Sequence, residues 1–408
     1  MKAKKSWYSY IVWFAYAALC SIIFACYVTV FVQKVLEDGG PSQQVKLGLS
    51  AVAAVALLTL CFVASYLVTR KLQRSNGRRR LDDPFAERLC FSAVVAGAFA
   101  LRAVTIFNLG NDFSFTAAVN NPDLFSSLKL YSGLTSAVSG NLVNALMQAV
   151  FQIVAIICVY FSVKRISGRV PAVVASGVLA FTTLVTEKLT EQTPECFLFM
   201  MFSIVLLVTV NLFGNPFEKE KNNLLTIAVI SGVLTGLVIS FSPEAVILPV
   251  IMLYLIMDNR TGDKNKFREV LISFLLYLLV TVVALLLFVA VGSFIMGSPV
   301  NEYFVSYKSA FMKVFERNIY FYSMAHPLQS FFECAVIVFL AALYIPGFWG
   351  HKSFRSGSVM LALVAIATTP VSAVGIMLTD IYCVFLWGIM AGIGLQSCIV
   401  HNPEEVSE

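Results

Sequence analysis

The chain has 408 residues, of which 59% are hydrophobic and 13% are charged, and its formal net charge is +6. A soluble protein of this length carries roughly 25% charged residues, so the composition excludes an ordinary soluble domain. In so apolar a chain, the positive charge reports where basic loops face and does not indicate nucleic-acid binding.

Long apolar stretches follow one another with short polar breaks, and most are close to the roughly 20 residues that cross a bilayer as a helix. About twelve spans are predicted, near residues 8–33, 47–69, 89–107, 141–163, 170–186, 195–213, 223–241, 243–257, 269–297, 328–348, 358–378 and 380–399. The first is no cleavable signal peptide, because its apolar run is too long and no small-x-small site follows. The sequence therefore predicts an all-α polytopic transmembrane bundle.

The basic residues are divided unevenly between the two sets of predicted loops. One set, with both termini, holds roughly 21 Lys and Arg against about 7 in the other, so the positive-inside rule makes it cytosolic. Segments 108–140, 187–194 and 298–327 are then exterior. We expect a multi-pass plasma-membrane protein, bacterial in origin, with both termini in the cytosol.

Several ionisable residues intrude into the spans, and each lies within about two turns of an exterior helix end: Arg102, Glu187, Glu195, Glu244, Glu333 and Asp380. A polar surface at the outer interface suits chemistry on a lipid head group better than a path across the bilayer. The alternative is that these side chains only snorkel or cap helices. The nine cysteines and three histidines show no disulfide or zinc spacing, so no metal site is predicted.

The first long exterior segment, 108–140, spans about 33 residues, several-fold more than a usual connection. Its stretches "FTAAV" and "DLFSSLKLY" predict short helices along the interface, separated by the turn signal "NNPD". Asp112 opens the first of them. It is either a general base at the membrane surface or the N-cap of the following helix.

The second long exterior segment, 298–327, has an aromatic helical face with cations beside it. The aromatic residues are Phe304, Tyr307, Phe311 and Phe315, and the cations are Lys308, Lys313, Arg317 and His326. One interpretation is an amphipathic helix at the interface. The other is a site for a lipid-linked anion whose phosphate Lys and Arg would hold.

From about residue 89 onward the chain resembles the GT-C superfamily of integral-membrane glycosyltransferases, in the group similar to protein O-mannosyltransferases and the aminoarabinose transferase. The stretches that carry the resemblance are "LRAVTIFNLGNDFSFTAAV", "NLVNALMQAVFQIVAIICVYFSVKRISGRVPAVVASGVLAF", "TEQTPECFLFMMF", "GVLTGLVISFSPEAVILP" and "DIYCVFLWGIMAGIGLQ". The resemblance implies a GT-C-like domain over residues 89–399. Two extra spans in 1–88 precede this domain, and a cytosolic tail, 400–408, follows it.

The resemblance further implies transfer of a sugar from a polyprenyl-phosphate donor to a glycan or lipid acceptor of the cell envelope. Asp112 is the expected base, and Arg102 would orient it or bind phosphate. The expected substrate-binding residues are Arg102, Asp123, Lys129, Glu195, Lys308, Lys313 and Arg317. We expect no cofactor and a metal-independent reaction, although some relatives place a divalent cation in the first loop.

Two other functions remain open from the sequence. Twelve spans with both ends inside is also a common layout for a transporter or flippase of lipid-linked or amphiphilic substrates, but no repeat between halves is visible. A non-catalytic membrane protein derived from the GT-C fold is the other alternative. The sugar, the acceptor and the donor chain length are not encoded in any motif that we recognise.

Overall fold

A computed structural model describes residues 84–108, 141–189, 194–214, 220–258, 264–297, 327–345 and 381–399, together with scattered positions within 11–67, 216, 299–308 and 371–376. The helices are α1 (Pro84–Asn108), α2 (Asn141–Ser167), α3 (Arg169–Phe181), α4 (Thr183–Glu187), α5 (Glu195–Phe213), α6 (Lys221–Phe241), α7 (Ile247–Asp258), α8 (Lys264–Met296), α9 (Pro327–Ala342) and α10 (Ile381–Ile399). A 3₁₀ turn, Pro243–Val246, joins α6 to α7.

Five of these helices are long and apolar enough to cross a membrane, and they cover 84–108, 142–167, 195–213, 222–241 and 265–294. Two shorter apolar helices cover Arg169–Phe181 and Val384–Gln396. The prediction of a helical membrane protein is confirmed for the described residues. The count of about twelve spans stays a prediction, and so do the proposed domain boundaries.

The all-α prediction is confirmed for the described helices, and one short β pair is a local departure from it. Within the predicted span 358–378, β1 (Val371–Ser372) and β2 (Gly375–Ile376) form an antiparallel pair, with Val371 opposite Ile376. The local sequence "PVSAVG" explains the departure, because proline cannot donate in a helix and glycine favours turns.

Glycine and proline residues end several of the helices. Gly214 (φ 44°) follows α5 and donates its N–H to the Val210 carbonyl at 2.9 Å. Gly297 (φ 64°) follows α8, and Gly168 (φ 99°) separates α2 from α3. Positive φ angles favour glycine because it has no Cβ. After α6 the stop is Pro243, which lacks the N–H that would continue the helix.

The described residues divide into two compact units. The first comprises Met1–Val94, Ser167–Leu184 and Asn318–Glu408. In this unit α10 packs on α3 and α9, and Gly388 of α10 brings the helix close to Ala175. Tyr16, from the first predicted span, donates a hydrogen bond of 3.1 Å to the Ala341 carbonyl and stacks on Trp387 with ring centroids 6.4 Å apart. Tyr16 therefore packs on α9 and α10.

The second unit comprises Val95–Ile166 and Val185–Arg317. Its most extensive helix pair is α6 with α8. A Cβ added at Gly236 would lie 2.7 Å from both the Ala284 Cβ and the Thr281 carbonyl oxygen. The Tyr277 hydroxyl of α8 lies 3.1 Å from Thr235 Oγ1 of α6 and donates to it. Small residues therefore let the two backbones approach closely, as is common between membrane helices.

Contacts within each unit agree with the predicted sides of the membrane. In the first unit, Arg169 Nε lies 3.3 Å from Glu87 Oε2, and both residues belong to helix ends predicted to be cytosolic. In the second unit, the Tyr307 hydroxyl donates to the Ile239 carbonyl at 2.7 Å, and both lie at predicted exterior ends. The up-and-down order of these helices is consistent with these pairs, while the assignment of one side to the cytosol stays a prediction.

Candidate functional site

Arg102 lies six residues before the end of α1, and it is 1% exposed. Its Nε donates a 2.8 Å hydrogen bond to Gln152 Oε1, and its Nη1 donates a 3.1 Å hydrogen bond to the Ala98 carbonyl. Helical side chains tilt toward the N-terminus of their helix, which explains the contact with the residue one turn earlier. The guanidinium is therefore held inside the second unit by helix α2 and by its own helix.

This geometry does not fit the alternative of an arginine that snorkels to lipid head groups. A snorkelling side chain follows the helix surface toward the nearer interface. From Arg102 the nearer end of α1 is Asn108, about 9 Å away at 1.5 Å per residue, yet the guanidinium reaches toward Ala98, in the opposite direction. Arg102 is a buried polar centre, and its role toward substrate or toward Asp112 stays a proposal.

Gln152 of α2 connects three helices around this arginine. Its Nε2 donates to the Val185 carbonyl of α4 at 2.7 Å and to Cys196 Sγ of α5 at 3.2 Å, while its Oε1 accepts from Arg102. A side-chain amide has both donors and an acceptor, so it can satisfy an arginine and a backbone carbonyl at the same time. Gln152 was missed in the sequence-based site prediction.

A sequence signal for Gln152 does exist. Asn144, Gln148 and Gln152 recur every four residues on α2, and all three are buried. Residues at this spacing share one face of a helix. Side-chain amides repeated on one face of an apolar span indicate a polar seam inside the protein, because lipid would not solvate them.

Glu195 opens α5, and its Oε2 lies 3.0 Å from the ammonium nitrogen of Lys188. The carboxylate side chain is 35% exposed and the lysine side chain is 16% exposed, so the pair lies at the edge of the buried region. A negative charge in the first turn also interacts favourably with the helix dipole. The predicted binding residue Glu195 thus has a cationic neighbour, Lys188, that was not predicted.

We call Arg102, Gln152, Lys188, Glu195 and Cys196 the outer polar cluster. Gln152 joins Arg102 to Cys196, and Cys196 follows Glu195 directly in the chain. All five residues belong to the second unit. The cluster combines two cations, one carboxylate and one amide, which is a chemistry suited to phosphate and hydroxyl groups. Its charged residues lie near the predicted exterior ends of α1, α4 and α5, whereas Gln152 lies 11 residues into α2.

Lys308 is exposed, next to Tyr307, whose hydroxyl donates to the Ile239 carbonyl at the end of α6. It is therefore located at the predicted exterior end of α6. The other predicted site residues lie outside the described residues: Asp112, Asp123, Lys129, Lys313 and Arg317. Their roles stay predictions.

Glu333, another acidic residue near an exterior helix end, has a structural partner in the first unit. Its Oε2 accepts a 2.8 Å hydrogen bond from the Thr183 backbone N–H and a second hydrogen bond from the Thr183 hydroxyl. Its Oε1 accepts from Gln329 Nε2 at 3.0 Å. Glu333 of α9 thus caps the first turn of α4, although Glu333 and Thr183 are 150 positions apart in the chain.

Within the part of the chain that the structure describes, no group of three or more His, Cys, Asp or Glu residues is placed to hold a metal ion. Asp112 and Asp123 of the first exterior segment are not among those residues. The expectation of a metal-independent reaction therefore stays untested.

The fold and the cluster define a helical membrane protein with a polar site at one end of its spans. Residues 130–294 match the family of dolichyl-phosphate-mannose-protein mannosyltransferases, and this is a GT-C family domain. The match confirms the resemblance over about two-fifths of the chain and supports a membrane glycosyltransferase of the GT-C type. No match was found among curated proteins.

The matched segment contains Gln152, Lys188, Glu195 and Cys196 of the outer polar cluster. It begins after Arg102 and Asp112 and ends before Lys308. The family match therefore covers most of the helices that form the cluster. It does not cover Asp112 or Lys308, so the roles proposed for these two residues of the long exterior segments do not rest on it.

Proposed function

We propose that this protein transfers a sugar from a polyprenyl-phosphate donor to a cell-envelope acceptor at the exterior face of the membrane. The observation that carries the proposal is the mannosyltransferase-family match over 130–294, the segment that builds most of the outer polar cluster. Polyprenyl-phosphate sugars present an anion and several hydroxyls at the membrane surface. The cations, carboxylate and amide of the cluster match those groups.

In this proposal Asp112 is the general base. Its carboxylate takes the proton of the acceptor hydroxyl while the acceptor oxygen forms a bond to the anomeric carbon of the sugar. The bond between that carbon and the phosphate oxygen breaks, and the electron pair leaves with the polyprenyl phosphate. Lysine and arginine side chains stabilise the charge that grows on this leaving group. Lys129, Lys308, Lys313 and Arg317 are the candidates.

Arg102 has a different assignment from these loop cations. Its guanidinium is held by Gln152 and Ala98 inside the helices, so we assign it the task of joining α1, near its outer end, to α2, whose outer end lies 11 residues before Gln152. These ends flank the exterior segment that contains Asp112. Asp123 and Glu195 are proposed to bind sugar or acceptor hydroxyls, which carboxylates accept well.

The test is sugar transfer by the purified protein in proteoliposomes, with radiolabelled polyprenyl-phosphate mannose as donor and a cell-envelope fraction as acceptor. Asp112→Asn should lower transfer by about 10²–10⁴-fold, the usual contribution of a general base. Asp83→Asn is the matched control, because Asp83 belongs to a predicted cytosolic loop. Full activity in Asp112→Asn, with normal insertion, would contradict the assignment of the base.

The same vesicles distinguish the alternative functions. A flippase would move a fluorescent polyprenyl-phosphate lipid across the bilayer without an acceptor, and Asp112→Asn would leave that movement unchanged. A non-catalytic relative would show neither transfer nor movement. Transfer measured with and without EDTA decides whether a divalent cation takes part.

A further inference from the structure

The end of α6 has an unusual hydrogen-bond arrangement. In a continuing α-helix the Ile239 carbonyl would accept from the backbone N–H of residue 243, but residue 243 is proline and has no N–H. The preceding bond, from the Ser242 N–H to the Val238 carbonyl at 2.8 Å, is intact. The proline therefore removes one specific donor, and it does so at Ile239, which is 4% exposed.

The Tyr307 hydroxyl supplies a replacement donor. It lies 2.7 Å from the Ile239 carbonyl oxygen, although the two residues are 68 positions apart. A buried carbonyl without a donor is costly, so this contact stabilises the docked position of the residue that provides it. Both residues belong to the second unit.

We propose that Tyr307 is a positioning residue that anchors the start of exterior segment 298–327 to the end of α6, through the carbonyl that Pro243 leaves open. Lys308 follows Tyr307 directly, so the anchor fixes the place of a cation that the proposed function assigns to the donor phosphate. The hydrogen bond between Tyr307 and the Ile239 carbonyl is the observation that supports the anchor. Its effect on donor binding rests on the proposed function.

A mutant cycle tests the anchor. Tyr307→Phe removes the donor and keeps the ring, and Pro243→Ala restores a backbone N–H that can bond Ile239. Hydrogen exchange of the peptide covering 300–308 should speed up by about three- to tenfold in Tyr307→Phe, the range for one lost hydrogen bond. In the Pro243→Ala background, the same tyrosine substitution should change exchange less than about twofold.

Tyr277→Phe is the matched control, because it removes another tyrosine hydroxyl that bonds α6, through Thr235, away from the exterior segment. It should leave exchange at 300–308 unchanged. Equal effects of Tyr307→Phe in both backgrounds, or unchanged exchange in the single variant, would overturn the anchor. A thermal unfolding curve for each variant confirms that it is folded.

The effect on the donor is measured as binding of polyprenyl phosphate and as transfer of mannose from its polyprenyl-phosphate ester. Tyr307→Phe should raise the donor KM by about three- to tenfold with little change in kcat, because it moves a binding cation and not the base. Unchanged donor affinity, with wild-type protein that binds, would refute the positioning role. Wild-type protein that neither binds nor transfers would refute the proposed function and leave the exchange cycle to decide the anchor.

Discussion

Arg102 and Gln152, fifty positions apart in the chain, share a buried hydrogen bond of 2.8 Å between Nε and Oε1. The amide also donates to the Val185 carbonyl and to Cys196, so one side chain joins an arginine to two further helices. A neutral amide that accepts from a guanidinium leaves the positive charge in place, whereas a carboxylate would compensate it. The pair therefore holds a buried arginine between α1, six residues before its end, and the middle of α2.

Gln152→Leu should lower the free energy of unfolding by about 3 kcal/mol, because a buried guanidinium loses its amide acceptor. Gln152→Glu keeps an acceptor for Arg102 but loses the donor to the Val185 carbonyl, so it should also lower the free energy of unfolding, by less than Gln152→Leu. Thermal unfolding in detergent measures both. Asn222→Leu is the control, because Asn222 is an exposed amide at the start of α6. If Gln152→Leu unfolds at the same temperature as the control, the bond contributes nothing to stability.

Gly236→Ala should destabilise the protein by about 1–3 kcal/mol, the usual range for overpacking. The new Cβ would lie 2.7 Å from Ala284 Cβ, so α6 and α8 would have to separate. Gly48→Ala is the matched control, because no residue that the structure describes lies within 4 Å of a Cβ at that position. Denaturant titration of the two variants side by side gives the comparison. An unchanged free energy of unfolding in Gly236→Ala would show that α6 and α8 do not approach this closely.

Glu333→Ala should lower the free energy of unfolding by about 1–3 kcal/mol, because the Thr183 N–H and hydroxyl lose a charged acceptor. The free energy of unfolding of Glu333→Gln should lie between those of Glu333→Ala and the wild type, since an amide oxygen still accepts from a backbone N–H. Gln329→Ala removes only the exposed partner of Glu333 and should be nearly neutral. The melting temperatures of the three variants rank how much each hydrogen-bond partner contributes to stability. A large decrease in melting temperature for Gln329→Ala, with none for Glu333→Ala, would contradict the capping role.

Hydropathy predicts the long apolar helices that the structure describes, whereas the partners of their polar residues depend on the fold. The predicted spans 195–213 and 223–241 agree closely with α5 and α6, because Gly214 and Pro243 end these helices through local backbone chemistry. Arg102 was recognised as misplaced in an apolar run, but its partner Gln152 was not. That pairing depends on how α1 and α2 pack, which no local pattern specifies.

Glu333 shows the same division between local and long-range information. The sequence predicts its position near an exterior helix end and is compatible with both a role at the polar surface and a helix cap. The hydrogen bond from Thr183 to Glu333 depends on the packing of α9 beside the start of α4, which the sequence does not specify. Sequence patterns locate charges along a helix, whereas the assignment of a partner needs the neighbouring helix.

The length of α8 has a consequence for the membrane around the protein. Its 33 residues extend about 50 Å at 1.5 Å per residue, whereas the hydrocarbon layer is about 30 Å thick. The basic residues Lys266 and Arg268 belong to the first five residues of α8, and anionic head groups attract such side chains. The apolar remainder, 269–296, is still longer than the hydrocarbon layer. A bilayer accommodates such a hydrophobic mismatch when the helix tilts or kinks, or when the local bilayer thickens. Because α6 packs against α8 at Gly232 and Gly236, a tilt of α8 would also move α6, which ends at Phe241, two residues before Pro243.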